Sequence, residues 1–335
     1  MLNNHFLDTL LPAIENKLKT CVEKNLDSTY SGLKSMLQYH MGWHGEGAGI
    51  AAQGKRIRPL LVLLTAISAE QTWEDYLSFA ASVELIHNFS LIHDDIEDSS
   101  PLRRGRKTLW RLWGVPQALN SGDLLFTIAH LALLEEANQF SPSTLLEATR
   151  LVHQTCIMLT QGQYLDMYFE TQEQITLEQY WTMIEGKTAA LIKCCTELGA
   201  IKCEPQKRHL YSEFGKNLGL AFQIQDDLLG LWGEVSVTGK SSDSDLTSGK
   251  MTLPVIYALE NNDSFRARWH LGNISAEESL EIAEMLKQDG TFCYTQGLVR
   301  TLTNRAVDSL QALGYRNNAI TALQDMSIQL IGRSN

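Results

Sequence analysis

Long apolar runs are missing from this sequence, and cysteines are few. The longest apolar run, around Leu60–Ala69, is shorter than the roughly 18 residues that a membrane-spanning helix needs, so it is predicted to be a buried helix. The six cysteines show no CxxC spacing and no framework of a short secreted chain, which favours reduced core thiols in a cytoplasmic protein. The N-terminal segment has no basic n-region, so neither a secretory signal nor a transit peptide is expected.

Basic residues are also scarce, with 28 Lys and Arg against 39 Asp and Glu and a formal net charge of -11. This balance argues against nucleic acid or an anionic membrane surface as the main partner. An anionic substrate would have to be bound by local clusters of Lys and Arg and by metal ions. Apolar residues make up 44% of the chain, as in an ordinary soluble globular protein with a sizeable core.

No convincing strand pattern, repeat or low-complexity tract is present, whereas apolar residues recur at helical spacing along most of the chain. The expected fold is therefore all-α, a single domain over residues 1–335 built as a helical bundle with a central cavity. Helices are predicted over residues 2–38, 73–98, 115–138, 142–170, 176–200 and 207–232, with more helices after residue 251. Gly186 followed by Lys187 and Thr188 predicts a kink inside the fifth of these.

Carboxylates gather at the ends of two predicted helices. Asp94 and Asp98 are four residues apart, so they share one helix face, and Asp95 flanks them. Asp226 and Asp227 lie near the end of the helix over 207–232. Such oxygen-only sites suit Mg²⁺ bridging to phosphates, and we expect the two clusters to face each other across the bundle. The alternative for the first cluster is a solvated helix end with an acidic run.

Basic residues flank a glycine-rich stretch over residues 42–54. Lys55, Arg56 and Arg58 precede Pro59, a favoured first residue for a helix, and cations at a helix N-terminus form a ready anion site. The alternative is a solvated basic turn. A P-loop is disfavoured because Arg56 stands where Ser or Thr is needed, and a zinc pair at His40 and His44 is disfavoured because no carboxylate lies near.

A series of blocks gives the sequence a family resemblance between Gly54 and Glu260. In order they read GKRIRP, LIHDDIEDSSPLRRGR, NSGDLL, QGQYLDM, GKTAALI, FQIQDDLLG and GKSSDSDLTSGK. Together they resemble the blocks of the trans-isoprenyl diphosphate synthases. The resemblance implies head-to-tail condensation of isopentenyl diphosphate with an allylic diphosphate, in an all-α fold that usually forms a homodimer.

The resemblance also implies roles for individual residues. Mg²⁺, three ions with substrate bound, would be held by Asp94, Asp95, Asp98, Asp226 and Asp227. The allylic diphosphate would be bound by Arg103, Lys187, Gln223 and Lys240, and Lys250 would be a further substrate-binding residue. Isopentenyl diphosphate would be bound by Lys55, Arg58, His87 and Arg104, although a lone histidine such as His87 is more often a satisfied core residue. Catalysis would rest on Lys187, Thr188, Gln223 and Arg103, with Thr188 and Gln223 offering neutral oxygens to the allylic cation.

Two features bear on the details of that resemblance. Gly230 stands where many relatives carry a third aspartate, which makes the role of Asp227 uncertain, but activity is expected to survive. Small Ser90 and bulky Phe89 before Asp94 resemble the short-chain group, so geranylgeranyl diphosphate is the expected product and farnesyl diphosphate the alternative.

Two other functions are compatible with part of this pattern. A class I terpene cyclase shares the DDxxD helix and the ionisation step but has no use for a second diphosphate site, so Lys55, Arg58 and His87 favour elongation. A non-catalytic subunit of a heteromeric synthase should have lost its acidic ligands, and only Gly230 points that way.

Overall fold

The structure is a computed structural model that describes residues 4–135, 139–233 and 245–331. The fold is all-α, as predicted. The helices are α1 (Asn4–Glu23), α2 (Ser31–His40), α3 (Ile50–Gln53), α4 (Ile57–Ser68), α5 (Leu77–Glu97), α6 (Leu109–Trp113), α7 (Val115–Leu133), α8 (Pro142–Phe169), α9 (Leu177–Ile184), α10 (Ala190–Gly199), α11 (Pro205–Trp232), α12 (Asp245–Ser248), α13 (Leu253–Asn261), α14 (Asp263–Trp269), α15 (Ala276–Gln288), α16 (Thr291–Ala312) and α17 (Asn318–Ile331). Two 3₁₀ turns lie at Ser28–Tyr30 and Trp73–Tyr76, and a π-helix spans Glu185–Ala189.

A short β-hairpin corrects the expectation that the chain has no strand. Strand β1 (Leu102–Arg103) pairs antiparallel with β2 (Arg106–Lys107), with Arg103 opposite Arg106. Arg104 and Gly105 between them have φ of 51° and 73°, the left-handed conformation that a two-residue hairpin turn requires. Strands of two residues are too short for an alternating pattern, so periodicity had no means of finding them.

The chain divides into two compact units. The first contains residues 1–152, 195–203 and 317–322, and the second contains residues 153–194, 204–316 and 323–335. This division does not test the expectation of one domain over residues 1–335, which stays a prediction.

In the first unit, the core lies where α5 packs against α7 and α4. The apolar run at the centre of α4 is buried from Pro59 to Ala66, as predicted. Tyr76, Phe79 and Phe140 add an aromatic cluster with ring centroids 4.6 to 6.0 Å apart. No helix among the described residues has both the length and the apolar character needed to cross a bilayer.

In the second unit, α11 packs along α16 and carries the buried residues Phe214, Leu218, Ile224 and Leu228. The helix begins with Pro205 at its first position, a placement that costs no hydrogen bond because that N–H has no partner within a helix. The helix continues beyond Gln223 to Trp232. It therefore fixes the second acidic pair in a rigid element.

Candidate active site

The first acidic motif ends α5 in a tightly fixed geometry. Asp98 is the C-cap, and the backbone N–H of Ser100 donates to Asp95 O at 2.9 Å. The side chains of Thr108 and Trp110 both donate to the carbonyl oxygen of Ser100, each at 2.9 Å. The turn that follows the carboxylates is thus held by hydrogen bonds from the start of α6.

Arg103 of β1 is bonded to the acidic motif itself. Its Nη2 donates to Asp94 Oδ2 at 2.9 Å and its Nε to Asp95 Oδ1 at 2.7 Å. Asp95 is only 2% exposed, whereas Asp98 is exposed and Asp94 partly so. Burial raises the pKa of Asp95 to about 6, although the Arg103 guanidinium acts to lower it. Asp94 and Asp98 therefore present the accessible carboxylates, and Asp95 braces Arg103.

The basic turn before α4 is less positive than the sequence indicates. Arg56 is 3% exposed, has a left-handed φ of 50°, and pairs with Glu15 Oε1 at 2.5 Å and Glu84 Oε1 at 2.8 Å. The helix also begins at Ile57, so Pro59 is its third residue and not the predicted first. Because two carboxylates neutralise Arg56, the predicted anion site loses one of its three cations.

Breaking this buried network is expected to be costly. Arg56→Ala leaves Glu15 and Glu84 without their shared cation, so we expect the free energy of unfolding to fall by about 3–5 kcal/mol. Urea titration followed by circular dichroism measures the loss. Arg111→Ala, at an exposed position on α6, should change stability by less than about 0.5 kcal/mol. Equal, small effects of both changes would contradict the conclusion that Arg56 neutralises Glu15 and Glu84 in the core.

His87 lies among arginine side chains. Burial and the nearby positive charges, Arg58 first and then Arg104, hold its pKa well below its ordinary value. Arg104 donates to Ala52 O at 2.9 Å, and its guanidinium lies where a Cβ on Gly54 would come within 2.6 Å. The structure thus brings Arg58, His87 and Arg104 together, with exposed Lys55 in the adjoining turn.

The second acidic pair divides into one exposed and one buried carboxylate. Asp226 is exposed, whereas Asp227 is 4% exposed. Asp227 accepts hydrogen bonds from Tyr180 Oη at 2.6 Å, Gln223 Nε2 at 2.9 Å and the Leu253 N–H at 3.0 Å. Burial raises its pKa to about 7, against the lowering effect of these donors. Asp227 therefore joins α11 to α9 and α13, and its metal role stays a prediction.

Lys187, Thr188 and Gln223 are connected in the same unit. The hydroxyl of Thr188 donates to Gln223 Oε1 at 2.6 Å, and Gln223 in turn donates to Asp227. Lys187 forms an ion pair with Asp166 of α8. A π-helix over Glu185–Ala189 interrupts the α-helical pattern at Lys187, the place where the sequence predicts a kink.

The remaining predicted substrate-binding residues are two lysines that precede α13 in the sequence and two residues of α5. Lys240 falls outside the described residues, whereas Lys250 is half-buried and its N–H donates to Asp245 O at 3.0 Å. The Ser90 hydroxyl donates to His87 O at 2.8 Å, and the Phe89 ring contacts Phe126 with centroids 4.8 Å apart.

Zinc binding at the His40 and His44 pair gains no support. Burial and the neighbouring arginines, Arg103 first, lower the pKa of His40 to about 3. The same positive surroundings disfavour a dication there. Within the described ranges, no group of three or more His, Cys, Asp or Glu side chains is arranged to hold a metal ion.

Several site residues escaped sequence reasoning. Glu84 pairs with Arg56, Tyr180 with Asp227, and Asp166 with Lys187. These partners are far apart in the sequence, so no spacing rule connects them. Asp245 is a further case, because a Cβ on Gly230 would lie 1.9 Å from its Oδ2. The place of the missing third aspartate is therefore next to a carboxylate from α12.

The all-α fold, two acidic helix ends and a group of arginines and lysines define a helical enzyme of the isoprenoid synthase class. The model of the polyprenyl synthetase family matches residues 48–288. The chain belongs to that family and is a short-chain trans-prenyltransferase.

Individual relatives agree on the class and differ in product. The chain is 34% identical over 313 residues to (2E,6E)-farnesyl diphosphate synthase of Mycobacterium tuberculosis, covering 90% of this chain and 86% of the relative. It is 38% identical over 244 residues to geranylgeranyl diphosphate synthase of the same organism, covering 72% and 69%. The polyprenyl synthetase structure from Streptomyces coelicolor superimposes with a TM-score of 0.85 at 29% identity, covering 96% and 97%.

Proposed function

We propose that the enzyme condenses isopentenyl diphosphate with an allylic diphosphate, whether dimethylallyl, geranyl or farnesyl diphosphate, and that its main product is geranylgeranyl diphosphate. The observation that supports the substrate assignment is the grouping of Arg58 and Arg104 around His87, in addition to Arg103, which binds Asp94 and Asp95 of the acidic motif. A cyclase that binds one diphosphate has no use for that group. The enzyme acts as a homodimer in this proposal.

Mg²⁺ fits the donors that the structure presents. Asp94, Asp98 and Asp226 offer accessible carboxylate oxygens on rigid helices, and Mg²⁺ typically takes one or two carboxylates and completes its shell with waters and phosphates. Three ions, held by these residues with Asp95 and Asp227 in support, complete the proposal. When bound, Mg²⁺ stabilises the negative charge that develops on the leaving diphosphate.

Lys187 and Arg103 bind the allylic diphosphate by changing partners. In the structure, Lys187 is paired with Asp166, and Arg103 is paired with Asp94 and Asp95. Both cations therefore have carboxylate partners before the substrate binds. Once they turn to the departing oxygens, these cations stabilise the negative charge that develops there, which lowers the cost of ionisation selectively. Lys240 and Lys250 add charge, while the Thr188 hydroxyl and Gln223 carbonyl stay near the allylic carbon as neutral oxygens.

Isopentenyl diphosphate is held by Lys55, Arg58, His87 and Arg104. His87 is neutral at pH 7 because its pKa is lowered, so it acts as a hydrogen-bonding group and the arginines supply the charge. After the double bond of isopentenyl diphosphate attacks the allylic cation, a proton leaves the neighbouring carbon. The released diphosphate, a weak base already in the site, accepts it.

The test is a product assay with labelled isopentenyl diphosphate, Mg²⁺ and each allylic primer in turn. We expect a main product of geranylgeranyl length by chromatography. A farnesyl product would select the alternative, and a main product of C30 or longer would overturn the short-chain proposal. Hydrocarbon release from geranylgeranyl diphosphate alone would instead identify a cyclase.

Product length is expected to depend on Phe89. Its ring lies on α5 against Phe126 of α7, so the two rings form one aromatic layer. Phe89→Ala removes most of one ring and should lengthen the main product by one or more five-carbon units, measured in the same chromatographic assay. Phe89→Leu, which keeps most of the volume, should change the product less. An unchanged product in Phe89→Ala would mean that other residues limit the length of the product.

A further inference from the structure

The hairpin β1–β2 carries three arginines, and the last of them, Arg106, contacts neither acidic motif. Its Nη1 donates to Tyr39 O at 2.6 Å, Nη2 to His44 O at 2.8 Å and Nε to Glu46 O at 2.9 Å. Its guanidinium also lies 3.8 Å from the centroid of the Tyr39 ring. One side chain thus binds three backbone carbonyls, that of Tyr39 in the last turn of α2 and those of His44 and Glu46 in the segment that follows it.

The glycines of this segment fit around that side chain. A Cβ on Gly45 would come within 2.8 Å of the Tyr39 ring, and a Cβ on Gly47 would lie 3.4 Å from Arg106 Cγ. Both glycines also have positive φ, 86° and 71°. The glycine-rich composition is therefore explained by close packing on Arg106 and Tyr39, and a nucleotide-binding loop is not needed to account for it.

Arg106 also satisfies the C-terminal end of α2. Carbonyl groups at the end of a helix lack intrahelical partners and carry partial negative charge, which a cation offsets. Tyr39 returns a bond to the hairpin, because its hydroxyl donates to Lys107 O at 3.0 Å. The hairpin and the end of α2 are therefore fastened together in both directions.

The far end of the glycine segment leads into the basic turn. Gly49 N–H donates to Gly42 O at 3.0 Å, so the segment closes on itself. A Cβ on Gly42 would lie 2.6 Å from Gln53 N and 2.7 Å from Ala52 C, so its backbone presses directly on α3. Ala52 O accepts the bond from Arg104, and Lys55 follows two residues after Gln53.

We propose that Arg106 is a positioning residue for the isopentenyl diphosphate site. By clamping the glycine segment, it sets the distance between Lys55 on the basic turn and Arg104 on the hairpin. The inference rests on the proposed assignment of Lys55, Arg58, His87 and Arg104 to that substrate. Arg106 itself contacts no substrate and acts through the backbone of residues 42–54.

The test compares Arg106→Gln and Arg106→Lys with the charge-matched control Lys107→Gln. Both Arg106 variants should raise the KM for isopentenyl diphosphate about tenfold or more, because small misplacements of binding groups are costly. The kcat and the KM for the allylic diphosphate should change by less than about twofold, since Arg103 and Lys187 are untouched. Arg106→Lys keeps the charge, but its single ammonium nitrogen cannot span the three carbonyls that Arg106 reaches with three separate nitrogens, so it should not rescue. Lys107→Gln should leave all three constants unchanged.

Arg58→Ala distinguishes a failure of the substrate assignment from a failure of the positioning role. Thermal unfolding of every variant checks that each is folded when it is assayed. If Arg58→Ala leaves the KM for isopentenyl diphosphate unchanged, the substrate assignment fails. If Arg58→Ala raises that KM but Arg106→Gln does not, the positioning role fails. Rescue by Arg106→Lys, or an equal effect of Lys107→Gln, would show that charge and not the clamp matters. An equal rise in both KM values would also overturn the proposal.

Discussion

Asp94→Asn is expected to lower kcat by about 100- to 1,000-fold, the usual cost of removing one preorganised electrostatic group from an active site. The change keeps the shape of the side chain but removes the charge that a divalent cation needs. The Arg103 guanidinium keeps its 2.7 Å bond to Asp95, so the hairpin should stay in place. The measurement is steady-state turnover across a Mg²⁺ titration, in which the half-saturating Mg²⁺ concentration should also rise.

The matched control is Glu97→Gln, a neighbouring exposed carboxylate at the end of the same helix. It alters the formal charge by the same amount near the same helix end and should change kcat by less than about twofold. If the two variants lose activity equally, the field of the helix end would explain the effect and the assignment of Asp94 as a metal ligand would fail.

Local residue patterns were sufficient to predict the all-α class and the two acidic helix ends. Asp94 and Asp98 share a helix face by simple geometry, and the kink at Lys187 follows from a glycine inside a helical pattern. The same rules treat Asp226 and Asp227 as a pair. The structure separates them, because adjacent residues on a helix point about 100° apart and only Asp227 faces Tyr180.

The features that sequence reasoning missed depend on partners distant in the chain. In the sequence, Arg56 looks like a member of a basic turn. In the structure, Glu15 of α1 and Glu84 of α5 pair with it and neutralise its charge. Arg106 follows the conspicuous pair of arginines in the resemblance, yet it is the one that binds the glycine segment. Neither result follows from spacing, since burial and pairing are properties of the packed unit.

A close helix crossing behind Lys187 gives the second large expected effect. Gly162 of α8 lies against the π-helix so tightly that a Cβ there would come 2.1 Å from the backbone N of Lys187. Gly186 faces it, with its own added Cβ 2.7 Å from Met158 O. Both obstacles are backbone atoms, which cannot move aside as a flexible side chain does. The π-helix that presents Lys187 and Thr188 therefore depends on two glycines.

Gly162→Ala is accordingly expected to displace the π-helix and the Lys187 ammonium group. A misplacement of about 1 Å can cost on the order of 100-fold in rate, so kcat should fall by roughly that factor although alanine is the better helix former. Overpacking should also destabilise the protein by about 1–3 kcal/mol. Turnover is measured without denaturant at a temperature where the variant is folded. Urea unfolding is measured on the same preparation.

Gly297→Ala is the matched control, because Gly297 lies inside α16 of the same unit and an added Cβ there meets nothing within 4 Å. It should stabilise the protein by up to about 1 kcal/mol and leave kcat unchanged, as expected for a helical glycine with space around it. Both variants replace a helical glycine with alanine. A difference between them therefore measures the effect of the close contact between α8 and the π-helix. Normal turnover in Gly162→Ala would mean that Lys187 does not depend on the glycine contact, and the proposed link from α8 to the allylic diphosphate would be lost.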